Sequence, residues 1–247
     1  MTTVTARIPR GFAVFPKRLL AEQGLFTVMI WGAFSVLMLV IPVVVSFFRP
    51  IEVSGWVIGL GIVQWYVLAI GCYVGGQYLE LHVAHGQSRR SYLKSAFIFV
   101  PLFAAMVAAL CIVTFFPEAL IYHLAGWPQA VDGSHLYDHP LEVHLVFLHY
   151  WLIFTLYGAG GLFLGVAWYR GAYIGSLAIP FAVALSLIAS VGMANRDGPL
   201  QFLVQEGLVP TEPNAWLATA LHLLCVAVLF AVTWLCGRNV AIKKKAV

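Results

Sequence analysis

The sequence predicts an all-α polytopic membrane protein with six transmembrane helices, and three observations carry this prediction. Of its 247 residues, 62% are hydrophobic and only 10% are charged, whereas a soluble domain is about half apolar and about a quarter charged. Six windows lack Asp, Glu, Lys and Arg over about 20 residues, the length that a helix needs to cross the bilayer core. Positive charges gather on one side of these windows.

The composition also excludes several other classes of protein. A disordered chain combines low hydrophobicity with high net charge, whereas this chain is apolar and its net charge is +4. Nucleic acid is not an expected partner, because 14 Lys and Arg residues are too few to follow a phosphate backbone. We therefore expect one membrane domain over residues 1–247, in contact with lipid.

An amphipathic segment precedes the first span. Residues 8–20 mix bulky apolar and basic side chains, and we expect residues 1–26 to include an interfacial amphipathic helix on the inner leaflet. A disordered basic tail remains the alternative, because short amphipathic signals are weak. The first apolar run starts late and is too long for the core of a cleavable signal peptide, so no such peptide is expected.

Six spans and a basic tail follow. Helices are expected rather than a barrel, because the apolar runs are continuous and lipid cannot satisfy an exposed backbone. Two longer connections are predicted on the outside, over Pro117–His144 and Met193–Asn214, and residues 237–247 form a basic cytoplasmic tail. The spans, within residues 27–236, are Thr27–Phe48, Trp56–Leu79, Ser95–Phe116, Val146–Trp168, Ala172–Gly192 and Ala215–Cys236.

The charges set the expected orientation. Twelve of the fourteen cations fall on the side of the two termini, and only Arg49 and Arg196 fall opposite. Eight of the ten acids fall on that opposite side, with Glu22 and Glu80 as the exceptions. Because cytoplasmic loops are enriched in Lys and Arg, both termini are predicted to be cytoplasmic.

Two small-residue motifs predict close helix packing. Gly71 and Gly75 lie four residues apart in the second span, and Gly161 and Gly165 repeat this spacing in the fourth. Small residues at this spacing let two helix backbones approach closely. The motifs fit packing within the chain and a dimer interface equally well, and both alternatives stay open.

The loop between the second and third spans carries the clearest candidate site. Gly86 is suited to end a helix, and Ser88 is suited to cap the next one. Arg89, Arg90 and Lys94 would then lie on a polar face. The simplest alternative is that these cations only anchor the chain at the inner membrane surface.

The order of residues in this loop resembles a family of transporters. A glycine, a Ser-Arg-Arg triplet, an aromatic residue and a long apolar span follow one another from Gly86. This order is similar to that in permease subunits of bacterial ATP-binding-cassette (ABC) exporters, in particular the six-helix, type-two superfamily and its actinobacterial members. Gly158–Gly171 also resembles their fourth span and the short turn after it. One departure is the loop Gly126–His144, which is unusually rich in His and Asp for that family.

The resemblance implies a division of labour between subunits. In such exporters the loop is a coupling helix that docks on ABC ATPase subunits, and a second permease chain, identical or not, completes the pathway in the bacterial plasma membrane. ATP and Mg would be bound by the partner ATPase, because this chain contains no Gly-x-x-x-x-Gly-Lys-[Ser/Thr] motif. We therefore expect no enzyme activity and no cofactor in this chain. The implied contact residues are Gly86, Ser88, Arg89, Arg90 and Tyr92.

The predicted spans carry no Asp, Glu, Lys or Arg. Proton-coupled carriers and pumps generally keep an ionisable group at mid-membrane, despite its free-energy cost. A stand-alone secondary transporter is therefore disfavoured. An uncharged, aromatic-rich interior suits a lipophilic or amphipathic substrate.

Histidines near the outer boundary support an alternative function, a haem- or metal-binding membrane anchor of an oxidoreductase. Imidazole and carboxylate groups are ligands of zinc, copper and haem iron, and Asp132, Asp138 and Glu142 are interleaved with the histidines. Their spacing matches no ligand signature, so no obligatory metal site is expected. His149 is expected to hydrogen-bond to another helix or an outer loop, with His222 as one possible partner. The histidines concerned are His123, His135, His139, His144, His149 and His222.

Overall fold

The computed structural model describes residues 16–131, 135–193, 206–207 and 212–239. These residues form helices joined by turns, and no strand occurs among them. Six helical stretches are long and apolar enough to cross a membrane, which confirms the all-α class and the number of candidate spans. The helices are α1 (Lys17–Ser46), α2 (Gly55–Tyr73), α3 (Leu79–Ala84), α4 (Arg89–Ala125), α5 (Val143–Arg170), α6 (Ala172–Ser190) and α7 (Ala215–Gly237).

Two of the spans contain a change of helix type. A π-helical segment, Val74–Tyr78, joins α2 to α3 without a break, so that one span runs from Gly55 to Ala84. A short 3-10 turn, Val191–Met193, continues α6. Single π-helical turns inside α-helices are frequent at functional sites.

The described part of the N-terminal segment belongs to the first span. Helix α1 begins at Lys17 and runs without interruption to Ser46, so no separate interfacial helix is present over residues 17–26. Its 30 residues give a length of about 45 Å at 1.5 Å per residue, which exceeds the bilayer core of about 30 Å. The first turns of α1 therefore project beyond the core. Residues 1–15, and the tail from residue 240, lie outside the described residues.

Helix α4 is much longer than its predicted span. The expected outer connection over Pro117–His144 is wrong in its first part, because α4 continues through Pro117 to Ala125. Proline is tolerated in membrane helices, where neighbouring groups satisfy the freed carbonyl. The helix ends instead at Gly126, whose φ of 69° lies in the left-handed region that favours glycine. Most of the second predicted connection, Met193–Asn214, lies outside the described residues.

Helix α5 is the centre of the bundle. It packs against α2, α4, α6 and α7, and 72% of its most apolar window is buried, compared with 17% for α1 and for α6. Small residues explain this position, because its middle reads Gly158-Ala159-Gly160-Gly161 and allows close approach from several sides. Helices α1 and α6 are peripheral and present apolar side chains to the surroundings, as lipid-facing helices do.

The bundle has two chemically different ends. We call the end that carries Gly86 the Gly86 end, and the opposite end, which carries Glu118, the Glu118 end. At the Gly86 end, Tyr78 donates a hydrogen bond to Glu22 over 3.1 Å, and Arg170 donates one to the carbonyl of Cys236 over 3.1 Å. The described cations of the predicted cytoplasmic side lie at this end: Lys17, Arg18, Arg89, Arg90, Lys94, Arg170 and Arg238.

Candidate functional site

The turn at the Gly86 end is built by a glycine and a helix cap. Gly86 has a φ of 85°, which side chains other than glycine rarely adopt. Its N–H bonds the carbonyl of Val83 over 3.0 Å, which closes α3. Two residues later, the Ser88 hydroxyl accepts a hydrogen bond from the N–H of Ser91 over 3.2 Å and caps α4. The local structure expected from the sequence is therefore present.

The cations of this turn are available to a partner. Arg90 and Lys94 are exposed, and Arg89 is partly exposed. Neither arginine forms an ion pair with another described residue. Two unpaired guanidinium groups beside an exposed turn suit contact with carboxylates or phosphates, which guanidinium binds in a bidentate manner.

Tyr92 is placed differently from the other implied contact residues. Its side chain is fully buried, at 0% exposure, and its hydroxyl donates a hydrogen bond to the carbonyl of Val74 over 2.7 Å. Its ring also lies against His82, with 5.0 Å between ring centroids. Direct contact of Tyr92 with another chain is therefore ruled out in this conformation, because the packing that buries α4 has already enclosed the ring. Its contact is with the start of the π-helical segment.

The two glycine motifs face each other inside the chain. A methyl group on Gly71 would collide with the carbonyl oxygen of Gly158, and one on Gly75 would collide with that of Leu162. From the other side, a methyl group on Gly161 or Gly165 would meet backbone oxygens of α2. We call this contact of α2 with α5 the glycine seam. Of the two alternatives left open by the sequence, the structure has packing within the chain, and these faces are covered.

Three histidines line one cavity at the Glu118 end. His135, His149 and His222 share a cavity of about 250 Å³ with Gln64 and Tyr157. The rings of His135 and His149 lie 4.8 Å apart. By contrast, His139 and His144 are exposed. The expected proximity of His149 to His222 is therefore present, and the structure adds His135, which the sequence had not placed beside them.

The hydrogen bond of His149 fixes the tautomer of its imidazole. Nδ1 of His149 accepts the N–H of Leu136 over 3.4 Å, as expected for a bond to the outer loop, and this leaves the proton on its other nitrogen. Among the described residues, no group of three His, Cys, Asp or Glu side chains is arranged to hold a metal ion. The volume is also below the range of about 300–1,000 Å³ that is typical of larger ligands such as haem.

A buried carboxylate, missed in the sequence, organises the Glu118 end. Glu118 is 1% exposed and lies in α4, beyond Phe116, the predicted end of the third span. Its oxygens accept hydrogen bonds from Ser54 Oγ at 2.8 Å, from the N–H of Trp56 at 3.0 Å and from Gln129 Nε2 at 2.8 Å. The carboxyl group thus lies at the N-terminus of α2, where it accepts a backbone N–H that has no acceptor within the helix. Gly126, a typical helix stop, was the signal that α4 passes Pro117.

No protein-family model matches the chain, and neither a curated protein nor a solved structure matches it significantly. Its resemblance to exporter permeases therefore depends on the sequence motifs. The structural features that bear on function are the exposed basic turn, the enclosed Tyr92 and the glycine seam.

Proposed function

We propose that this chain is the transmembrane subunit of an ATP-driven ABC exporter in the bacterial plasma membrane, with its Gly86 end in the cytoplasm. One observation carries the proposal: an exposed basic turn is joined by a buried hydrogen bond to the helix pair at the centre of the bundle. Arg89 and Arg90 provide the contact, and Tyr92 provides the joint to Val74. ATPase subunits with ATP and Mg come from other polypeptides.

The geometry supports a rigid mechanical path from the turn to the bundle. A push on the Ser88 cap displaces the first turn of α4, and Tyr92 transmits this displacement to the carbonyl of Val74. Val74 begins the π-helical segment, next to Gly75 in the glycine seam. Because α2 and α5 touch backbone to backbone there, they move as one body, as in hinge and shear transitions of other proteins.

The outer helices of the bundle are available to partners in the membrane. Helices α1 and α6 are mostly unburied, which leaves apolar surface for lipid and for a second permease chain, identical or different. The substrate in this proposal is a lipophilic or amphipathic molecule that leaves the cytoplasm. The chain itself has no catalytic role.

The test is association with an ATPase. The tagged chain is purified from its native membrane, and co-purifying ATPase activity is measured with and without vanadate. The double variant R89E/R90E should lose this activity, whereas K17E/R238E, which makes the same charge change at exposed residues of the same end, should retain it. Membrane insertion is checked separately for both variants. An unchanged yield of vanadate-sensitive ATPase with R89E/R90E would contradict the docking role.

The alternative, a haem- or metal-binding anchor, is favoured by one observation, the shared cavity of His135, His149 and His222. An absorbance spectrum and elemental analysis of the purified protein separate the two functions. A Soret band, or stoichiometric zinc, copper or iron that H149A/H222A removes, would support the anchor. A colourless preparation with an associated ATPase would support the exporter.

A further inference from the structure

A second groove, unrelated to the histidine cavity, runs along the side of the bundle near the Gly86 end. It lies between α2 with its π-helical segment and the last third of α5, and its volume is about 620 Å³. This volume falls within the range of about 300–1,000 Å³ of small-molecule sites. The groove has a floor of small residues, aromatic walls and a polar end. Its lining residues are Ala69, Cys72, Tyr73, Gly76, Gln77, Glu80, Gly165, Trp168 and Tyr169.

Glycine residues on the floor of the groove, which have no side chain, keep the groove open. A methyl group on Gly76 would meet only the carbonyl oxygen of Gly165, at an ordinary contact distance of 3.8 Å. Unlike the glycines of the seam, Gly76 is therefore not required for close packing. A larger side chain at this position would fill the groove without separating α2 from α5.

The aromatic walls are held in place and open to the surroundings. Trp168 is 47% exposed and Tyr73 is 42% exposed. The indole of Trp168 covers Gly175 of α6, where a methyl group would collide with it, so the ring has a fixed support on one face. Tyr73 is supported by the ring of Tyr78, whose centroid is 5.0 Å away. Fixed, partly exposed aromatic faces are well suited to bind cations, which the negative ring faces attract.

The polar end of the groove carries a carboxylate, Glu80, that has no ion-pair partner among the described residues. Glu80 is partly buried and makes no hydrogen bond or ion pair with a described residue. Glu22, the other acid at this end, contrasts with it, because Arg18 bonds Glu22 over 2.7 Å. A carboxylate that is withdrawn from water is stabilised by a cation. None of the described cations at this end is bonded to Glu80.

The dimensions fit a molecule with one charged end. Ala69 and Glu80 are eleven residues apart along the same span, which is about 16 Å at 1.5 Å per residue. The carboxylate lies near the helix end, and the small apolar residues lie deeper in the predicted membrane. A ligand that fills this groove has a cationic head beside Glu80 and an apolar body beside Ala69.

From these observations we infer that the groove is a binding site for lipophilic organic cations, with Glu80 as the counter-ion and Trp168 and Tyr73 as aromatic contacts. This inference names the substrate class of the proposed exporter, and in that respect it rests on the proposed function. Binding itself requires only this chain. The site lies at the predicted cytoplasmic side, where an exporter takes up its substrate.

The experiment measures binding of tetraphenylphosphonium to the purified chain in phosphatidylcholine nanodiscs, without any ATPase. Tetraphenylborate, which has the same shape and the opposite charge, is the control ligand. We expect saturable binding of the cation and no saturable binding of the anion. E80Q should weaken binding of the cation by about two- to fivefold, the range for a partly exposed charge pair, because the aromatic contacts are unchanged. E52Q, which removes the same charge at the Glu118 end, should leave the affinity unchanged.

A second pair of variants tests the groove rather than the charge. G76L should abolish binding by filling the floor, whereas G61L should not, because a methyl group at Gly61 meets nothing within 4 Å. Circular dichroism and size-exclusion profiles establish that the variants are folded. If G76L does not fold, E80Q and W168A decide the question. Equal affinities of E80Q and the parent chain would overturn the inference and would leave lipid or a second chain as the occupant.

The outcomes separate this inference from the proposed function. If the chain does not bind the cation but still associates with an ATPase, the inference about the groove is wrong and the proposed exporter function is unaffected. If the chain binds the cation saturably but never associates with an ATPase, the binding site is supported and the exporter function is contradicted.

Discussion

The N–H of Trp56 donates a hydrogen bond to Oε1 of Glu118 over 3.0 Å, although the two residues are 62 positions apart. Trp56 is itself fully buried and stacks on Trp31, with 5.7 Å between ring centroids. One carboxylate in α4 therefore fixes the start of α2, and α2 in turn holds α1. The Glu118 end is organised by this contact, in a region where the sequence predicted only a loop.

Replacement of Glu118 should destabilise the bundle. E118A leaves the buried donors of Ser54 and Trp56, and the partly buried donor of Gln129, without their acceptor. We expect a loss of about 2–6 kcal/mol in the free energy of unfolding, because each of the two buried groups costs about 1–3 kcal/mol. E118Q keeps the shape but replaces one acceptor by a donor, and it should cost less. Thermal unfolding in detergent measures both. E52A, at an exposed acid of the same end, should change stability by less than about 0.5 kcal/mol.

The glycine seam makes a position-specific prediction. G161A forces a methyl group against the carbonyl of Leu68, and overpacking of this kind costs about 1–3 kcal/mol or more. G160A, one residue earlier in the same helix, meets nothing within 4 Å and should be neutral or slightly stabilising, since alanine favours a helix over glycine by about 0.5–1 kcal/mol. Folded yield and unfolding temperature compare the two variants. Equal effects of both would contradict the backbone contact.

The Tyr92 joint predicts a separation of assembly from coupling. Y92F removes the hydrogen bond to Val74 but keeps the buried ring, so the protein should fold with a loss of only about 0.5–1.5 kcal/mol. The variant should still bind the ATPase, because Arg89 and Arg90 are unchanged, yet transport per ATP hydrolysed should fall. Y173F, at a tyrosine that is 78% exposed, is the matched control. Unaltered coupling in Y92F would show that this hydrogen bond transmits no movement.

The orientation can be tested by cysteine labelling. In a background without the native cysteines, a cysteine at exposed Asp138 should react with a membrane-impermeant maleimide added outside, and one at Gln87 should react only after permeabilisation. This expectation follows from the concentration of cations at the Gly86 end. The reverse pattern would place that end outside and would contradict the docking of a cytoplasmic ATPase. The native cysteines to be replaced are Cys72, Cys111, Cys225 and Cys236.

The glycine motifs and the Ser88 cap show which contacts can be predicted from residues that are close in the sequence. Ser88 caps α4 with a bond to Ser91, three residues away, and such a contact is readable because both partners are close in sequence. Gly161 likewise predicts close helix packing from a local pattern, but the residue that it packs against is Leu68, 93 positions earlier. The spacing of glycines on one helix predicts that the backbone of another helix can pack closely there. It does not predict which helix that is.

The amino-acid sequence by itself determined that the chain forms six apolar helices with cations gathered at one end, because hydropathy and charge act through the solvent on each segment separately. It also determined the turn at Gly86, since a left-handed backbone requires glycine. Only the tertiary structure decided that Tyr92 is enclosed, that Glu118 is a buried helix cap and that the glycine motifs face each other. These outcomes depend on contacts between distant segments, where burial and pairing are properties of the assembled bundle.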